Sequence, residues 1–197
     1  ELATAIAAYE KIEETLGRIM SFAYLVYAGN MSDSRIGRFF QSIQEKVTDI
    51  STNLLFVSLE LNRIEDAALA DKLKSKELAH YAPWIRDVRV FRPHQLSDEL
   101  EKLLHEKSIT GRSAWVRLFD ETLTGLRCSV DGKSMTVEQA LHLLSDKNGA
   151  TRKAAAKGLG QVFGDNVRLI SLITNTLIQD KEVEDKLRKG YPRDNIV

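Results

Sequence analysis

The sequence is poor in the residues that cross-link or interrupt a chain. Its 197 residues include one cysteine, Cys128, which excludes an intrachain disulfide and a cysteine-based zinc or iron–sulfur site. Three prolines and 11 glycines are few for an all-β protein and favour long helices. The 28 Lys and Arg residues balance the 28 Asp and Glu residues, so the chain lacks the basic excess of a dedicated nucleic-acid binder or a polybasic membrane module.

Long apolar runs are missing as well. The longest stretch without a charged residue, 19–32, is too short and too mixed in polarity to cross a bilayer. The chain begins at Glu1 and shows no signal-like apolar segment, so we expect a cytoplasmic protein, or a piece of one, that binds neither membrane nor nucleic acid.

Apolar residues recur at helical spacing in the first third of the chain. Leu2, Ile6, Leu16 and Met20 lie on one face of a first helix, which is expected to end at Gly29-Asn30. A second set alternates steps of four and three over 36–64, which predicts one continuous helix of roughly 45 Å. A short connection joins the two segments, so residues 1–68 are predicted to form a long antiparallel helical hairpin.

The remainder, 69–197, is predicted to be a helical domain with one small β-hairpin near 126–137. Asp131-Gly132 is a type I′ turn signal between two short alternating runs, and Thr136 with Gln139 forms a capping box. One helix is expected to begin at Thr110 or Ser113. Asp146 and Gly164 are expected to bound an Ala-rich helix, and Asp165 to cap a last helix that ends near Gly190. The predicted fold class is therefore all-α.

No metal motif is complete. His105-Glu106 begins the H-E-x-x-H string of zinc peptidases, but Ile109 stands where the second histidine is required. A di-iron bundle needs two E-x-x-H motifs, and the chain has one, Glu77 to His80. We interpret the i,i+4 pairs Glu101–His105 and Glu138–His142 as surface helix support. No catalytic or metal-binding residue is therefore predicted, and no cofactor is expected in this chain.

Other chemical motifs are equally weak. The glycines at 158, 160 and 164 have the wrong spacing for a dinucleotide loop, and Gly132-Lys133-Ser134 lacks the first glycine of a P-loop. Cys128 is interpreted as a buried strand thiol rather than a nucleophile. Three arginines at 86, 89 and 92 could form a basic stripe, but zero net charge favours ion pairs within the chain.

A set of motifs in a fixed order is more informative. The chain reads R-D-V-R-V-F-R-P-H-Q-L-S-D-E-L-E over 86–101, then S-A-W-x-x-L-F-x-E from Ser113, G-x-x-x-T-V-x-Q-A-L from Gly132, Asp146, Arg152, Asp180-Lys181 and R-K-G-Y-P from Arg188. This order resembles the N-terminal half of oligoendopeptidase F-type zinc metallopeptidases, relatives of thimet oligopeptidase. The resemblance is firmest from about residue 81 to residue 192.

The resemblance implies an all-α enzyme that hydrolyses short peptides in a deep channel between two lobes. In such enzymes zinc is bound in the C-terminal lobe by an H-E-x-x-H helix and a further Glu, and it lowers the pKa of its bound water. None of those positions maps onto this chain, so its 197 residues are expected to be an inactive fragment that forms channel wall and substrate gate. No substrate-contacting residue can be named from the sequence.

Two further expectations concern partners. A fragment of this kind should expose apolar surface and self-associate. The alternative function is a non-catalytic helical module for protein–protein interaction, because the apolar seam over 36–64 could receive a partner helix. The reading frame beyond Val197 discriminates between the two, since an H-E-x-x-H motif there favours the peptidase and a stop codon favours the module.

Overall fold

A computed structural model describes residues 1–188 of the protein. Within that range the chain is mostly helical, with one two-stranded antiparallel sheet, which confirms the predicted fold class. The elements are α1 (Leu2–Gly29), α2 (Ser34–Thr52), α3 (Leu55–Arg63), α4 (Asp66–Lys72), α5 (Lys76–Ala79), α6 (Ala82–Arg89), a 3-10 helix (Arg92–His94), α7 (Asp98–Lys107), α8 (Arg112–Gly125), β1 (Arg127–Val130), β2 (Lys133–Thr136), α9 (Val137–Leu143) and α10 (Gly149–Leu187).

The first two helices form the predicted antiparallel hairpin. Ala23, Tyr27 and Phe40 are buried between them near the turn, and the rings of Tyr27 and Phe40 stack with centroids 4.7 Å apart. Asp33 caps α2 by accepting a hydrogen bond from the Arg35 backbone N–H. The predicted apolar faces of the two helices meet near the turn, from Met20 on α1 to Ile43 on α2.

The prediction of one continuous helix over 36–64 is wrong. The α-helical hydrogen-bond pattern is interrupted at Asn53-Leu54, between α2 and α3, where the backbone N–H groups bond to carbonyl oxygens three positions earlier. Three consecutive polar side chains bond back to the preceding turn: Ser51 and Thr52 donate to the Thr48 carbonyl oxygen, and Asn53 donates to that of Asp49. Such bonds compete with the backbone ladder and weaken a helix locally. The apolar repeat continues across the break, which is why periodicity alone does not detect it.

A buried cluster, here the N-terminal core, closes the open end of the hairpin. Ile6 of α1 and Leu61 of α3 pack against one residue from each of the next three helices, Leu69, Leu78 and Ile85. This core draws on both sides of the boundary predicted at residue 68, and the division into 1–68 and 69–197 stays a prediction. Pro83 lies in the first turn of α6, where its missing N–H costs no hydrogen bond.

The β-hairpin and the capping box are confirmed. Asp131 and Gly132 have φ values of 51° and 76°, the left-handed pair that a type I′ turn requires. Thr136 accepts a hydrogen bond from the Gln139 backbone N–H, and the Gln139 side chain accepts one from the backbone N–H of Thr136. The two strands pair in register from Arg127 with Thr136 to Val130 with Lys133.

Helix α10 packs across this hairpin to form a second cluster, the C-terminal core. Its buried members are Cys128, Val130, Ala140, Ala155 and Leu159. Gly158 allows the close approach, because a Cβ added there would lie 2.6 Å from the Ser129 carbonyl oxygen. Small residues thus bring the helix backbone directly onto the strand.

Predicted helix boundaries are wrong at three places. The Ala-rich helix begins at Gly149 and is capped by Asn148, not by Asp146. The chain is helical without interruption from Gly149 to Leu187, whereas the sequence predicted a break at Gly164-Asp165. A glycine costs a helix only about 1 kcal/mol, and Asp165 accepts a hydrogen bond from the Gln161 side chain on the surface instead of capping a new helix. Helix α8 begins after Gly111, rather than at Thr110 or Ser113.

Candidate functional site

The histidines are held by separate parts of the fold. His105 Nε2 lies 2.8 Å from Ser51 Oγ, between α7 and α2, and His94 Nδ1 lies 3.0 Å from the Arg188 carbonyl oxygen. His80 makes an edge contact with the ring of Tyr81. Among residues 1–188, no three His, Cys, Asp or Glu side chains converge in a way that could hold a metal ion.

The interpretation of Glu101–His105 as a local helix pair is wrong. Glu101 instead forms a bidentate ion pair with Arg188, at 2.7 Å and 2.9 Å, across 87 positions of sequence. The His105 side chain is hydrogen-bonded to Ser51 of α2 and not to Glu101. A bidentate guanidinium–carboxylate pair is stronger and more directional than a one-turn helix contact, so it decides where the Glu101 side chain lies.

We call this arrangement the Arg188 clamp. Besides Glu101, the guanidinium donates to Glu184 at 2.8 Å and to the carbonyl oxygen of His94 at 3.3 Å, and the side chains of Arg188 and Glu101 are only 20% and 15% exposed. Burial raises the pKa of Glu101, but hydrogen bonds from Arg188 and from the backbone N–H of Leu96 outweigh it and hold the pKa below its usual value. The clamp fastens the end of α10 to the 3-10 helix and to α7.

A cavity of about 420 Å³ lies beside the clamp, between α3, the 3-10 helix, α7 and α10. Two amide oxygens in its walls, Asn62 Oδ1 and Gln95 Oε1, are buried without a hydrogen-bond partner among residues 1–188. Buried polar atoms nearly always form hydrogen bonds, so both oxygens are expected to accept one from a donor such as an ordered water. The cavity therefore belongs to a polar junction rather than to an apolar core.

A second polar contact joins the hairpin to α8. The hydroxyl of the buried Tyr27 donates to Glu121 Oε1 at 3.3 Å, and Arg117 donates to the Gln41 side chain at 2.8 Å. Burial, and then the Glu121 carboxylate, raise the pKa of Tyr27 to about 12. Tyr27 is therefore a neutral hydrogen-bond donor at physiological pH.

The predicted pairing of the three arginines is confirmed. Arg89 donates to the Leu61 carbonyl oxygen at 2.6 Å and pairs with Asp66, which also receives Arg92 at 3.0 Å. Arg86 pairs with Asp87 at 3.0 Å. Arg89 and Arg92 thus fasten α6 and the 3-10 helix to α3 and α4, whereas the pair of Arg86 lies within α6.

Cys128 is buried in β1, as predicted, with 1% of its surface exposed. Burial raises the pKa of its thiol, which keeps the side chain protonated and unreactive. Structural roles explain the glycines of the two weak nucleotide-binding motifs. Gly158 lets α10 lie against β1, and Gly132 lies in the hairpin turn.

Comparisons with known proteins support the family resemblance of the sequence motifs. Residues 60–127, from α3 to the start of β1, match the family model described as Oligopeptidase F. Oligopeptidase PepF of Bacillus subtilis (strain 168) is 27% identical over 173 residues, which cover 81% of this chain and 25% of that relative. Both matches are similarities to oligopeptidase F-type proteins, the family that the ordered sequence motifs resemble.

The fold is also that of a solved relative. The crystal structure of oligoendopeptidase-F from Enterococcus faecium matches with a TM-score of 0.81 and 18% sequence identity, over 95% of this chain and 37% of that one. The chain thus spans between 25% and 37% of the length of these two oligopeptidase F-type proteins. None of the helices within residues 1–188 has the length and apolar content needed to cross a membrane.

The Arg188 clamp is the arrangement that sequence reasoning missed. Both partners belong to the motifs that carry the family resemblance, 86–101 and R-K-G-Y-P, yet no local pattern pairs residues 87 positions apart. The residues 189–192 of the second motif lie outside the described range, and with them the predicted end of the last helix at Gly190.

Proposed function

We propose that this chain forms the N-terminal lobe of a zinc-dependent oligoendopeptidase that hydrolyses short peptides. The observation that supports the proposal is the match of residues 60–127 to the oligopeptidase F family, together with a relative aligned over 81% of the chain. In this proposal the lobe supplies channel wall and gates the access of peptides, while the reacting groups lie elsewhere in the protein.

The proposal assigns zinc to another part of the protein. The one H-E string of this chain has Ile109 at the second ligand position, and His105 is engaged with Ser51. One histidine and one glutamate do not form the three-ligand set of a catalytic zinc. Zinc, when bound elsewhere, would supply an activated water.

Measurements of zinc content and peptide cleavage test whether the zinc site lies outside this chain. The purified 197-residue chain is expected to retain well under one equivalent of zinc after gel filtration and to leave a quenched fluorescent pentapeptide uncut. A chain extended to include a downstream H-E-x-x-H segment is expected to bind one equivalent and to cleave. Stoichiometric zinc and cleavage by the 197-residue chain, both abolished by His105→Ala, would contradict the proposal.

The gating role rests on the junction at the end of α10. The Arg188 clamp joins this helix to the 3-10 helix and α7, so a movement at one would be transmitted to the others. In the extended protein, Arg188→Met is expected to change KM for peptides by several-fold with little change in kcat. An unchanged KM with an intact fold would argue against gating through this junction.

The alternative function, a helical interaction module, is favoured by one observation. Large apolar side chains are exposed on both helices of the hairpin, namely Ile12, Ile19 and Phe22 of α1 and Phe39 and Ile50 of α2. We call this set the hairpin outer face. A stop codon directly after Val197 and stoichiometric capture of a defined partner lost on Phe22→Asp would favour this function. A long open frame with an H-E-x-x-H motif would favour the peptidase.

Self-association of the 197-residue chain is part of the same proposal. Exposed apolar side chains occur on the hairpin outer face and again on α10, at Leu172, Ile178 and Val183. Contiguous apolar surface tends to be covered by association. Light scattering over a hundredfold concentration range is expected to show a rising mean mass, which Phe22→Asp should reduce. A constant monomer mass would contradict the expectation.

A further inference from the structure

A cavity of about 540 Å³ lies between the first half of α1 and the start of α6. Five side chains of two kinds are prominent in its lining: the rings of Tyr9, Tyr81 and Trp84 and the carboxylates of Glu10 and Glu13. It is separate from the Arg188 clamp and from every motif discussed above. Its mixture of aromatic and acidic groups suggests a specific class of ligand.

The aromatic wall is held in place by packing. The rings of Tyr9 and Trp84 contact each other with centroids 5.8 Å apart and planes inclined by 38°. Both side chains are half-buried, so they are ordered yet accessible from the cavity. A tryptophan face is the best aromatic surface for a cation, followed by tyrosine.

The acidic wall has little compensation from basic side chains. Glu10 accepts a hydrogen bond from the Tyr81 hydroxyl at 3.1 Å, Glu13 interacts with the Tyr9 hydroxyl, and none of the ion pairs found within residues 1–188 involves either carboxylate. Glu14, next to them, has a 3.5 Å contact with the exposed Arg18. Carboxylates three and four positions apart on a helix repel each other, and a bound cation would relieve that repulsion.

Other ligand classes fit this cavity less well. An anion would meet three carboxylates and one lysine, Lys11, in a chain whose overall charge is zero. A metal ion would need three converging ligands, which the described part of the chain does not provide. An apolar ligand would bury Glu10 and Glu13 without neutralising them, which is unfavourable.

We infer that this cavity binds an organic cation of the guanidinium or ammonium class, with the ring of Trp84 against the cation and Glu10 and Glu13 as its counter-charges. The cation can come from a basic side chain of a peptide or from a small free molecule. The inference concerns this chain's own residues and stands apart from peptide hydrolysis and from zinc.

Trp84 provides a direct readout. The chain has two tryptophans, so Trp115→Phe leaves Trp84 as the single tryptophan, whose emission is separated from that of the tyrosines by selective excitation. The probes are an acetylated and amidated pentapeptide with a central arginine, the same peptide with glutamine, and methylguanidinium. The arginine peptide is expected to produce a saturable change in Trp84 emission that weakens as salt is added, and the glutamine peptide to bind at least about tenfold more weakly.

Matched variants separate charge from folding. Glu10→Gln with Glu13→Gln is expected to weaken binding of the arginine peptide by about tenfold, whereas Glu45→Gln with Glu138→Gln removes the same charge elsewhere and should leave binding unchanged. Tyr81→Phe keeps the aromatic ring and removes the hydroxyl that donates to Glu10, so binding of the arginine peptide should persist. Circular dichroism confirms that each variant is folded.

The outcomes are distinct. Methylguanidinium that binds as tightly as the arginine peptide would assign the site to a free small cation, and a peptide that binds at least tenfold more tightly would assign it to a basic side chain. No saturable response to either cation, an equal response to the glutamine peptide, or equal affinity of the two double-glutamine variants would overturn the inference. None of these results depends on whether the protein is a peptidase.

Discussion

Two of the buried clusters within residues 1–188, the N-terminal core and the C-terminal core, are built from different kinds of side chain. The N-terminal core joins five helices through branched aliphatic side chains, Ile6, Leu61, Leu69, Leu78 and Ile85. The C-terminal core seats one long helix on a β-hairpin, and alanine and glycine bring the backbones together there. The first core is therefore expected to be sensitive to lost volume, and the second to added volume.

The largest effect is expected from deletion of volume in the N-terminal core. Ile85→Ala removes three buried carbon atoms at a site that is 1% exposed, and should lower the free energy of unfolding by about 2–5 kcal/mol. Urea unfolding monitored by circular dichroism measures the change. Leu25→Ala, at a site 70% exposed, is the control and should change stability by no more than about 0.5 kcal/mol. Equal effects at the two sites would show that Ile85 is not part of a packed core.

Addition of volume tests the C-terminal core. Gly158→Ala places a methyl group against the Ser129 carbonyl, and should cost about 1–3 kcal/mol although alanine is the better helix former. Gly160→Ala, two positions along the same helix, meets nothing within 4 Å and should stabilise the protein by up to about 1 kcal/mol. The opposite signs of the two changes are the essential result. Two stabilising changes would mean that α10 does not lie directly on β1.

Loss of a cap is expected to have a smaller effect. Thr136→Ala removes the side-chain oxygen that bonds the Gln139 N–H between β2 and α9, and should cost about 1 kcal/mol. Ser97, at the start of α7, is a matched control because its side chain makes no capping hydrogen bond. Ser97→Ala should therefore be nearly neutral in the same unfolding experiment. A larger loss at Ser97 than at Thr136 would contradict the capping geometry.

Local chemistry explains which parts of this fold could be predicted. The hairpin faces, the Asp131-Gly132 turn and the capping box at Thr136 each depend on residues within four positions of one another, and the structure confirms them. The break at Asn53 depends on side-chain bonds that compete with a backbone ladder, a balance too close for periodicity to decide. Gly164 does not interrupt α10, because a single glycine costs a helix only about 1 kcal/mol.

The candidate sites were harder to predict, because they depend on contacts between distant segments. Glu101 was assigned to His105 on helix spacing, whereas its partner, Arg188, is 87 positions away. Tyr81 and Glu10 line one cavity across 71 positions. Spacing rules rank neighbours on one element and carry no information about which elements meet.

The junction between the regions provides the last and smallest test. The folded protein holds the pKa of Glu101 below its usual value of 4.5, because the bonds from Arg188 and Leu96 outweigh the effect of burial. The unfolded chain therefore takes up a proton on Glu101 at higher pH than the folded chain does, so the stabilisation is fully present above about pH 4.5 and is lost as pH falls through the lower, folded pKa. The stability gap between the native protein and Glu101→Gln, from urea unfolding, should be constant from pH 7 to pH 5 and shrink below pH 4.5. A gap that does not change with pH would mean that Glu101 is held by its neutral hydrogen bonds rather than by the charge of Arg188.

Hydrogen exchange locates the effect of Glu101→Gln within the fold. Faster exchange is expected at the end of α10 and in the 3-10 helix, with both cores unaffected, because the clamp joins the two regions without belonging to either core.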